Sequence, residues 1–365
     1  MSMIPFGWRI LWYKAKARPR PLQLTGRLLY MGSLQAAWWL DDLLLGRWKE
    51  SSYKGPIFIL GHQRSATTTV HRALHSSPQA TGATMAQMLL PAMCFWKLGH
   101  AGMQMDKRCG HHVTRWIKQK QDAVLSPLED MHHIRLGLVE EDEFFFWTIL
   151  ASGMCANDSM ASMDNRDLDF LRHTDTWSEQ RRQAVWNWYE ACLHKTAYFA
   201  SLSSDTCPSP WVVAKNPAFS QRIPELRANF PQAKFIVLHR DPRRAIASRL
   251  RLIQTIWSTL HDGDILAPQH VELIYQDSLR EYRGLDRDVP GIPQSNLLEF
   301  SAAQLKKDPV AVLRAMESAF GISVSSFPSP HPTRTRVKLE DFGLSPSRVE
   351  ADLPTLFERR AWEIE

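Results

Sequence analysis

The hydroxyl-rich segment between residues 61 and 68 is the part of this chain whose residue types best suit chemistry. It follows the apolar run 56–60, which predicts a buried strand, and it leads into a predicted helix at about 67–76. Backbone N–H groups at a helix N-terminus point towards an anion, and the helix dipole favours negative charge there. We therefore predict a phosphate-binding loop composed of Gly61, Arg64, Ser65, Ala66, Thr67 and Thr68.

This loop differs from the Walker A loop of ATP-binding proteins. In a Walker A loop the second glycine is followed by Lys and then by Ser or Thr. Here Ala66, Thr67 and Thr68 occupy those positions, and the cation comes earlier, at Arg64. Because the lysine that reaches the outer phosphates of ATP is missing, the loop favours a donor that has a 5′-phosphate but no β- and γ-phosphates.

A second apolar strand, predicted at 234–239, ends beside another cation. Arg240 follows it directly, Asp241 suits the N-cap of the next helix, and Pro242 suits its first turn. Ser248 lies about two turns into that helix, which is predicted to end near residue 258. An Arg at the end of a strand and a Ser in the following helix can bind one phosphate from two sides.

Alternating strands and helices predict a parallel sheet with helices on both faces. Further strands are expected at 211–215 and at 296–300, and residues 79–85 are expected to form a short strand or a turn. Ligands of such sheets bind at the carboxyl ends of the strands. Arg64, Lys215 and Arg240 all lie at such ends, so three strand ends each offer a cation to an anionic ligand.

The two motifs, G-x-x-R-S-x-T-T and R-D-P-R-x-x-x-x-S, resemble the donor-binding motifs of sulfotransferases, which use 3′-phosphoadenylyl sulfate (PAPS). The first resembles their 5′-phosphosulfate loop and the second their 3′-phosphate site. Segments 211–217, 297–321 and 338–344 are similar to later parts of the family, the last to its bacterial branch. The resemblance extends over roughly residues 53 to 360. It implies a P-loop-like α/β fold and metal-independent transfer of a sulfuryl group to a hydroxyl or an amine.

The resemblance also implies roles for individual residues. Arg64 and Lys215 would be catalytic cations at the leaving phosphate, the loop would hold the 5′-phosphate, and Arg240 with Ser248 would hold the 3′-phosphate. Two positions depart from the family pattern. Ala66 stands where the family usually has Gly, and Pro217 stands where many cytosolic members have a catalytic His.

The general base must therefore come from another part of the chain. Residues 140 to 143 resemble an acidic motif of bacterial members, and the aromatic run that follows them could raise the pKa of a carboxylate. Glu141 and Glu143 are preferred over Glu140, whereas His132 and His133 are reserve candidates. The same acidic cluster equally suits a solvated helix start.

Two other functions stay open at this point. A P-loop nucleotide kinase is disfavoured because the Walker lysine is absent. A non-catalytic member that only binds nucleotide is compatible with Ala66 and Pro217. The acceptor is not specified by any motif, although abundant Trp and Met suggest an apolar small molecule or a lipid.

The chain is predicted to have an N-terminal helical extension at 1–52 and a single α/β domain at 53–365 with a largely helical acceptor or lid insert at about 86–205. Residues 259–293 are interpreted as mixed loop and helix, about 218–229 as one helix, and Ser345 to Ala361 as a helical tail. The basic, Trp-rich residues 1–46 predict a helix that either packs on the core or contacts a membrane surface peripherally.

Composition limits the class of protein. The 365 residues are 44% hydrophobic and 22% charged, as in folded soluble or peripheral proteins. The net charge of +6 indicates a mildly basic surface, and it also suits a pocket for an anionic donor or attraction to an anionic membrane. No basic run is interleaved with aromatics as in RNA-binding segments, so we expect no nucleic-acid partner. Five cysteines without a C-x-x-C pair indicate reduced thiols, a cytoplasmic location and no metal site. Oligomeric state is not indicated.

Overall fold

The computed structural model describes residues 21–126, 134–157, 170–202, 209–260, 263–324, 326–328, 337–360 and 362. These residues form two compact units. The first, here called the helical unit, lies within 1–53, 83–120 and 136–209. The second, here called the sheet unit, lies within 54–82, 121–135 and 210–365.

A parallel five-stranded sheet organises the sheet unit. Its strands are ordered β2-β3-β1-β4-β5, and their bounds are β1 Gly55–Leu60, β2 Ala80–Thr81, β3 Trp211–Lys215, β4 Lys234–His239 and β5 Leu297–Ser301. The residues of β1 and β3 are all buried, as expected for central strands of a parallel sheet. The predicted parallel sheet is thereby confirmed.

Fifteen α-helices occur in the described part of the chain. In chain order they are α1 Pro21–Leu44, α2 Thr67–His75, α3 Met85–Leu89, α4 Met93–Arg108, α5 His112–Leu125, α6 Glu143–Thr148, α7 Met154–Asn157, α8 Glu179–Ser201, α9 Ile223–Asn229, α10 Pro242–Leu260, α11 Pro268–Asp288, α12 Ala302–Lys307, α13 Pro309–Phe320, α14 Pro346–Asp352 and α15 Pro354–Arg359. The predicted insert at about 86–205 is thus built from helices in its described part.

Both faces of the sheet are covered because successive side chains of a strand point to opposite sides. Ile57 and Ile59 of β1 pack in one cluster with Val70 of α2 and Met316 of α13. Phe58, between them, contacts aromatic rings from the other side, at centroid distances of 5.6 Å to Phe219 and 5.4 Å to Phe230. Burying the two faces against helices removes nearly all apolar strand surface from water.

Three sequence-based interpretations of the sheet unit were wrong in detail. Residues 268–288 form one 21-residue helix, α11, instead of mixed loop and helix. The helix expected at about 218–229 is a 3-10 turn, Pro217–Gln221, followed by α9. The expected C-terminal helix breaks at Leu353, because Pro354 lacks the N–H that would continue it.

A buried ion pair organises the helical unit. Lys195 of α8 donates to Asp41 of α1 at 2.9 Å, and both side chains are fully buried. The same carboxylate accepts the backbone N–H groups of Met93 and Cys94 at 2.7 and 2.8 Å, which caps α4. Burial lowers the pKa of Lys195 and Asp41 opposes that shift. Because an unpaired buried charge is strongly destabilising, this pair fixes α1 on α4 and α8.

The N-terminal extension is only partly described. Helix α1 buries Met31, Leu34 and Trp38 within the helical unit, whereas residues 1–20 lie outside the described residues. No helix in the described ranges combines the length and the apolar character needed to cross a membrane. The peripheral membrane contact of residues 1–46 and the cytoplasmic location stay predictions.

We predict that Gly284→Ala destabilises the sheet unit. A Cβ atom at this position of α11 would lie 2.4 Å from the backbone oxygen of Ser220, which cannot move without shifting the turn that holds it. Overpacking of this kind costs about 1–3 kcal/mol. Thermal unfolding followed by circular dichroism should show a melting temperature lower by a few degrees.

Gly102→Ala is the matched control. Gly102 also lies inside a helix, α4, but no heavy atom would lie within 4 Å of its Cβ. Alanine in an open helical position stabilises by roughly 0.5–1 kcal/mol. Equal melting temperatures for the two variants would mean that α11 does not pack as closely on the 3-10 turn as described.

Candidate functional site

Three cationic side chains follow neighbouring strands of the sheet. Lys215 is the last residue of β3, Arg64 lies four residues beyond β1, and Arg240 follows β4 directly. The strand order puts β1 between β3 and β4, and the register pairs Ile59 with Lys215. The carboxyl ends of the three central strands therefore bring together the cations that the sequence analysis assigned to the site.

The loop between β1 and α2 has an unusual backbone. Arg64 and Ala66 adopt left-handed conformations, with φ of 71° and 66°. Residues other than glycine pay roughly 1–2 kcal/mol each for this region. Gly61 has a φ of 146°, and a Cβ there would lie 2.6 Å from the Leu238 carbonyl oxygen. The loop is thus held in a strained backbone form, of the kind found at ligand-binding sites.

The start of α2 lacks a side-chain cap. Ala66 is the N-cap and forms no side-chain capping bond. The hydroxyl of Ser65 is buried and has no hydrogen-bond partner among the described residues. A buried hydroxyl without a partner is costly, and a helix N-terminus favours an anion. A phosphate at this position would satisfy both groups, so the residues present fit one.

The two phosphate motifs hold each other. Arg64 Nε donates to the Ser248 hydroxyl at 3.1 Å, and Arg240 Nη1 donates to the carbonyl oxygen of Arg64 at 2.6 Å. Nε of Arg240 is buried and makes no hydrogen bond to a described residue. The sequence analysis paired Ser248 with Arg240. In the structure Arg64 links them, since its guanidinium donates to Ser248 and its carbonyl oxygen accepts from Arg240.

Lys215 lies beside the start of α2. Its side chain is buried, and Nζ donates to the Thr68 hydroxyl at 2.9 Å. A cation at this depth beside a helix N-terminus increases the positive potential of the loop. Thr68 is thus held by the lysine that ends the neighbouring strand.

Helix α11 contacts the loop between β1 and α2 and also the segment that follows β4. The Tyr282 hydroxyl donates to the Arg240 carbonyl at 3.1 Å, and its ring stacks on His62 at 4.7 Å. Burial raises the pKa of Tyr282 well above its usual value, so the hydroxyl remains a donor. Burial, followed by the charge of Arg249, lowers the pKa of His62 well below its usual value. One tyrosine therefore contacts both phosphate motifs.

Glu281 and Arg249 complete this support. Arg249 donates to one Glu281 oxygen at 2.9 Å, and His62 Nε2 lies 3.8 Å from the other. Sequence reasoning missed these residues together with Tyr282. The buried residues of α11 recur at helical spacing, as Val271, Ile274, Tyr275, Ser278, Leu279, Tyr282 and Leu285. This pattern would have revealed the helix, but not the loops that it contacts.

The segment after β3 stabilises the loop between β1 and α2. Asn216 accepts the N–H of Ala218 at 2.9 Å and caps the 3-10 turn that begins at Pro217. Ser220 in that turn accepts the Gly61 N–H at 3.3 Å. Proline suits the first position of such a turn because its missing N–H is not needed there. The position where the resemblance suggested a His is therefore part of the loop's scaffold.

The acidic cluster belongs to the helical unit. Glu140 and Asp142 are buried, whereas Glu141 and Glu143 are partly exposed. Asp142 accepts the Tyr189 hydroxyl, and Glu143, the first residue of α6, accepts the Ser152 hydroxyl. The alternation leaves Glu141 and Glu143 as the partly solvent-accessible carboxylates of the cluster. The reserve candidates His132 and His133 lie outside the described residues.

The profile described as "Sulfotransferase family" matches residues 56–151 and 147–326, which together contain both phosphate motifs and Lys215. The chain belongs to the sulfotransferase family. Two curated relatives are the omega-hydroxy-beta-dihydromenaquinone-9 sulfotransferases Stf3 of Mycobacterium bovis and Mycobacterium tuberculosis. Each is 26% identical over 280 residues, covering 73% of this chain but only 63% of the relative.

Solved structures show the same fold. Sulfotransferase STF9 from Mycobacterium avium superimposes with a TM-score of 0.67 at 18% identity, over 94% of this chain and 86% of that protein. Sulfotransferase STF1 from Mycobacterium tuberculosis H37Rv superimposes with a TM-score of 0.61 at 20% identity, over 88% of this chain and 81% of that protein. The P-loop-like α/β fold implied by the two motifs is confirmed.

No group of three or more His, Cys, Asp and Glu within the described ranges could hold a metal ion. Metal independence stays a prediction. The site as described consists of cations, hydroxyls and backbone N–H groups, which are ligands for anions.

We predict that Tyr282→Phe weakens binding of adenosine 3′,5′-bisphosphate by about three- to tenfold. The variant keeps the ring on His62 but removes the bond of about 0.5–1.5 kcal/mol that orients Arg240. Isothermal titration calorimetry measures the affinity, and thermal unfolding measures stability.

Tyr275→Phe is the matched control on the same helix. Its hydroxyl donates to Asp352 at 2.7 Å, a residue that belongs to neither phosphate motif. The control should lose comparable stability and no nucleotide affinity. Equal affinities for the two variants would show that α11 supports the fold without positioning the site.

Proposed function

We propose that this protein transfers a sulfuryl group from 3′-phosphoadenylyl sulfate to a hydroxyl group of an apolar acceptor. The observation that carries the proposal is the linkage of the two anion motifs through Arg240, Arg64 and Ser248. A donor with phosphates on both its 5′ and 3′ sides needs two anion sites at a fixed separation. Motifs that are hydrogen-bonded to each other supply that separation, and membership of the family supports the same chemistry.

The 5′ side of the donor fits the loop. The buried Ser65 hydroxyl, the uncapped start of α2 and Thr67 and Thr68 offer hydrogen-bond donors to one phosphate. We assign the 3′-phosphate to Arg240 and Ser248, which Arg64 links through its carbonyl oxygen and its guanidinium. ATP would leave this second set of donors without an anion, since it carries no 3′-phosphate.

Catalysis then depends on charge at the leaving group. The acceptor oxygen forms a bond to sulfur while the bond between sulfur and the bridging phosphate oxygen breaks, and that phosphate takes up the charge. Lys215, held against Thr68 at the start of α2, is the cation proposed to stabilise it. Arg64 is proposed to share that role from the loop. Donors fixed in advance at developing charge supply much of the rate enhancement in such transfers.

The acceptor hydroxyl must lose its proton as the bond to sulfur forms. We assign the base to Glu141 or Glu143, because these two carboxylates of the acidic cluster are partly exposed while Glu140 and Asp142 are buried. The hydroxyl that Ser152 donates to Glu143 orients that carboxylate. The buried Asp142 is engaged by Tyr189 and is a structural member of the cluster.

The acceptor class rests on the relatives. The mycobacterial proteins are named as sulfotransferases of an omega-hydroxylated dihydromenaquinone. We propose that this chain likewise takes an apolar acceptor that ends in a hydroxyl group. Because the chain spans only 63% of the length of those relatives, their individual substrate is not assigned to it.

The donor assignment predicts a selective effect of Ser248→Ala. Removing the hydroxyl that accepts from Arg64 should weaken binding of adenosine 3′,5′-bisphosphate by about tenfold, equivalent to about 1.4 kcal/mol. Adenosine 5′-monophosphate, which lacks the 3′-phosphate, should bind both proteins alike in calorimetric titrations. Arg240→Ala should cost about 1.5–3 kcal/mol with the same selectivity.

The following results would contradict the donor assignment. An equal loss for both nucleotides would remove the 3′-phosphate site from this position. Tighter binding of ATP with magnesium, or turnover that a chelator abolishes and magnesium restores, would favour a nucleotide kinase. Binding of the bisphosphate without any sulfuryl transfer from labelled PAPS would identify a non-catalytic member.

The base assignment predicts that Glu141→Gln or Glu143→Gln lowers turnover by about 10²–10⁴-fold. Glutamine keeps the shape but removes basicity, so the affinity for adenosine 3′,5′-bisphosphate should stay unchanged. Glu179→Gln is the control, because Glu179 also begins a helix of the same unit. Full activity of both cluster variants would make the cluster a helix start only, and His132 and His133 would be substituted next.

A further inference from the structure

A helical hairpin of the helical unit is exposed over almost its whole length. It comprises residues 97–120, which are the end of α4, a short turn and most of α5, and it is called the basic hairpin below. Within it only Asp106 is buried and only Ile117 is partly buried; every other residue is exposed. Helix α5 has no buried residue at all. Two helices of this length normally bury an apolar stripe, so a surface is left to be covered.

The exposed side chains of the basic hairpin include large apolar ones. Leu98 and Met105 are 69% and 60% exposed, and Val113 and Trp116 are 56% and 58% exposed. Leu98 and Met105 are seven residues apart on α4 and share a face. Val113 and Trp116 share a face of α5 with Ile117, at helical spacing. Each helix therefore presents an apolar stripe outwards.

The basic hairpin is also strongly cationic. It contains one Asp and six Lys and Arg residues, a formal charge of +5 with histidines neutral, and the cations are Lys97, Lys107, Arg108, Arg115, Lys118 and Lys120. The single carboxylate is engaged internally. Asp106 accepts the N–H groups of Val113 and Thr114 at 2.8 and 2.9 Å and the Thr114 hydroxyl at 2.5 Å. Asp106 therefore caps α5 and orders the turn.

We propose that the basic hairpin docks on an anionic lipid bilayer. Its apolar side chains would enter the boundary between headgroups and acyl chains, and its cations would bind the anionic headgroups. A Trp among apolar side chains, flanked by Lys and Arg, is the composition of an interfacial helix. A second copy of the chain is a less favourable partner, because a two-fold interface would bring together two surfaces that each carry a formal charge of +5. The inference does not depend on the proposed chemistry.

The basic hairpin is distinct from the segment that the sequence suggested for membrane contact. Helix α1, within residues 1–46, buries one face in the helical unit but exposes Trp39 at 60% on the other. Trp39 carries no comparable cluster of cations around it in the sequence, since its neighbours from 33 to 46 include only Asp41 and Asp42 as charged residues. The charge complementarity to anionic lipid therefore lies in the hairpin.

Vesicle flotation of the full chain tests the proposal. We expect the protein to float with vesicles of phosphatidylglycerol and phosphatidylcholine, and not with phosphatidylcholine alone. Lys107→Glu with Lys118→Glu should lower the partition coefficient at least tenfold. Lys306→Glu with Lys307→Glu changes the net charge equally at an exposed helix end of the sheet unit and should leave it unchanged. Trp116→Ser should lower binding several-fold, whereas Trp39→Ser, at nearly equal exposure, should not.

Several results would overturn the proposal. They are absence of flotation with anionic vesicles, equal losses for both charge-reversal pairs, and a loss for Trp39→Ser that Trp116→Ser does not show. Light scattering after size-exclusion chromatography tests whether a second copy of the chain binds the basic hairpin instead. A dimer that Trp116→Ser converts to monomer, with flotation unchanged, would assign the hairpin to a contact between copies. Because the substituted side chains are exposed, melting temperatures should match the wild type.

Discussion

The hydrogen bond from Arg240 to the backbone of Arg64 is the contact on which the anion site depends. It joins the segment after β4 to the loop after β1 at 2.6 Å, and Arg64 in turn donates to Ser248 on α10. Two cations do not approach each other without compensation. The Ser248 hydroxyl orients the Arg64 guanidinium and the Arg64 carbonyl orients the Arg240 guanidinium, and a bound anion would balance their charge.

The loop between β1 and α2 has a strained backbone, and contacts from the surrounding residues hold it in place. Arg64 and Ala66 adopt left-handed backbone conformations that glycine would adopt more easily. Such a loop persists only when its surroundings determine it, and here they do so from three directions. Ser220 holds Gly61, Tyr282 stacks on His62 behind the loop, and Lys215 holds Thr68 at the start of α2.

The two units use buried polar groups differently. In the helical unit Lys195 and Asp41 satisfy each other and cap α4, so the ion pair is complete within the fold. In the sheet unit the Ser65 hydroxyl is buried without a partner among the described residues. A complete pair fixes structure, whereas an incomplete set of donors at a helix start is suited to a ligand.

The sequence by itself determined the parallel sheet, most strand bounds and the three cations at strand ends, because continuous apolar runs and turn chemistry are local signals. Only the tertiary structure decided that Arg64 contacts Ser248 and that α11 reaches both motifs through Tyr282. Those contacts join segments 184 and 42 residues apart in the chain, and no local pattern encodes which loop a distant helix contacts. Their geometry follows from strand order, which packing of the whole sheet sets.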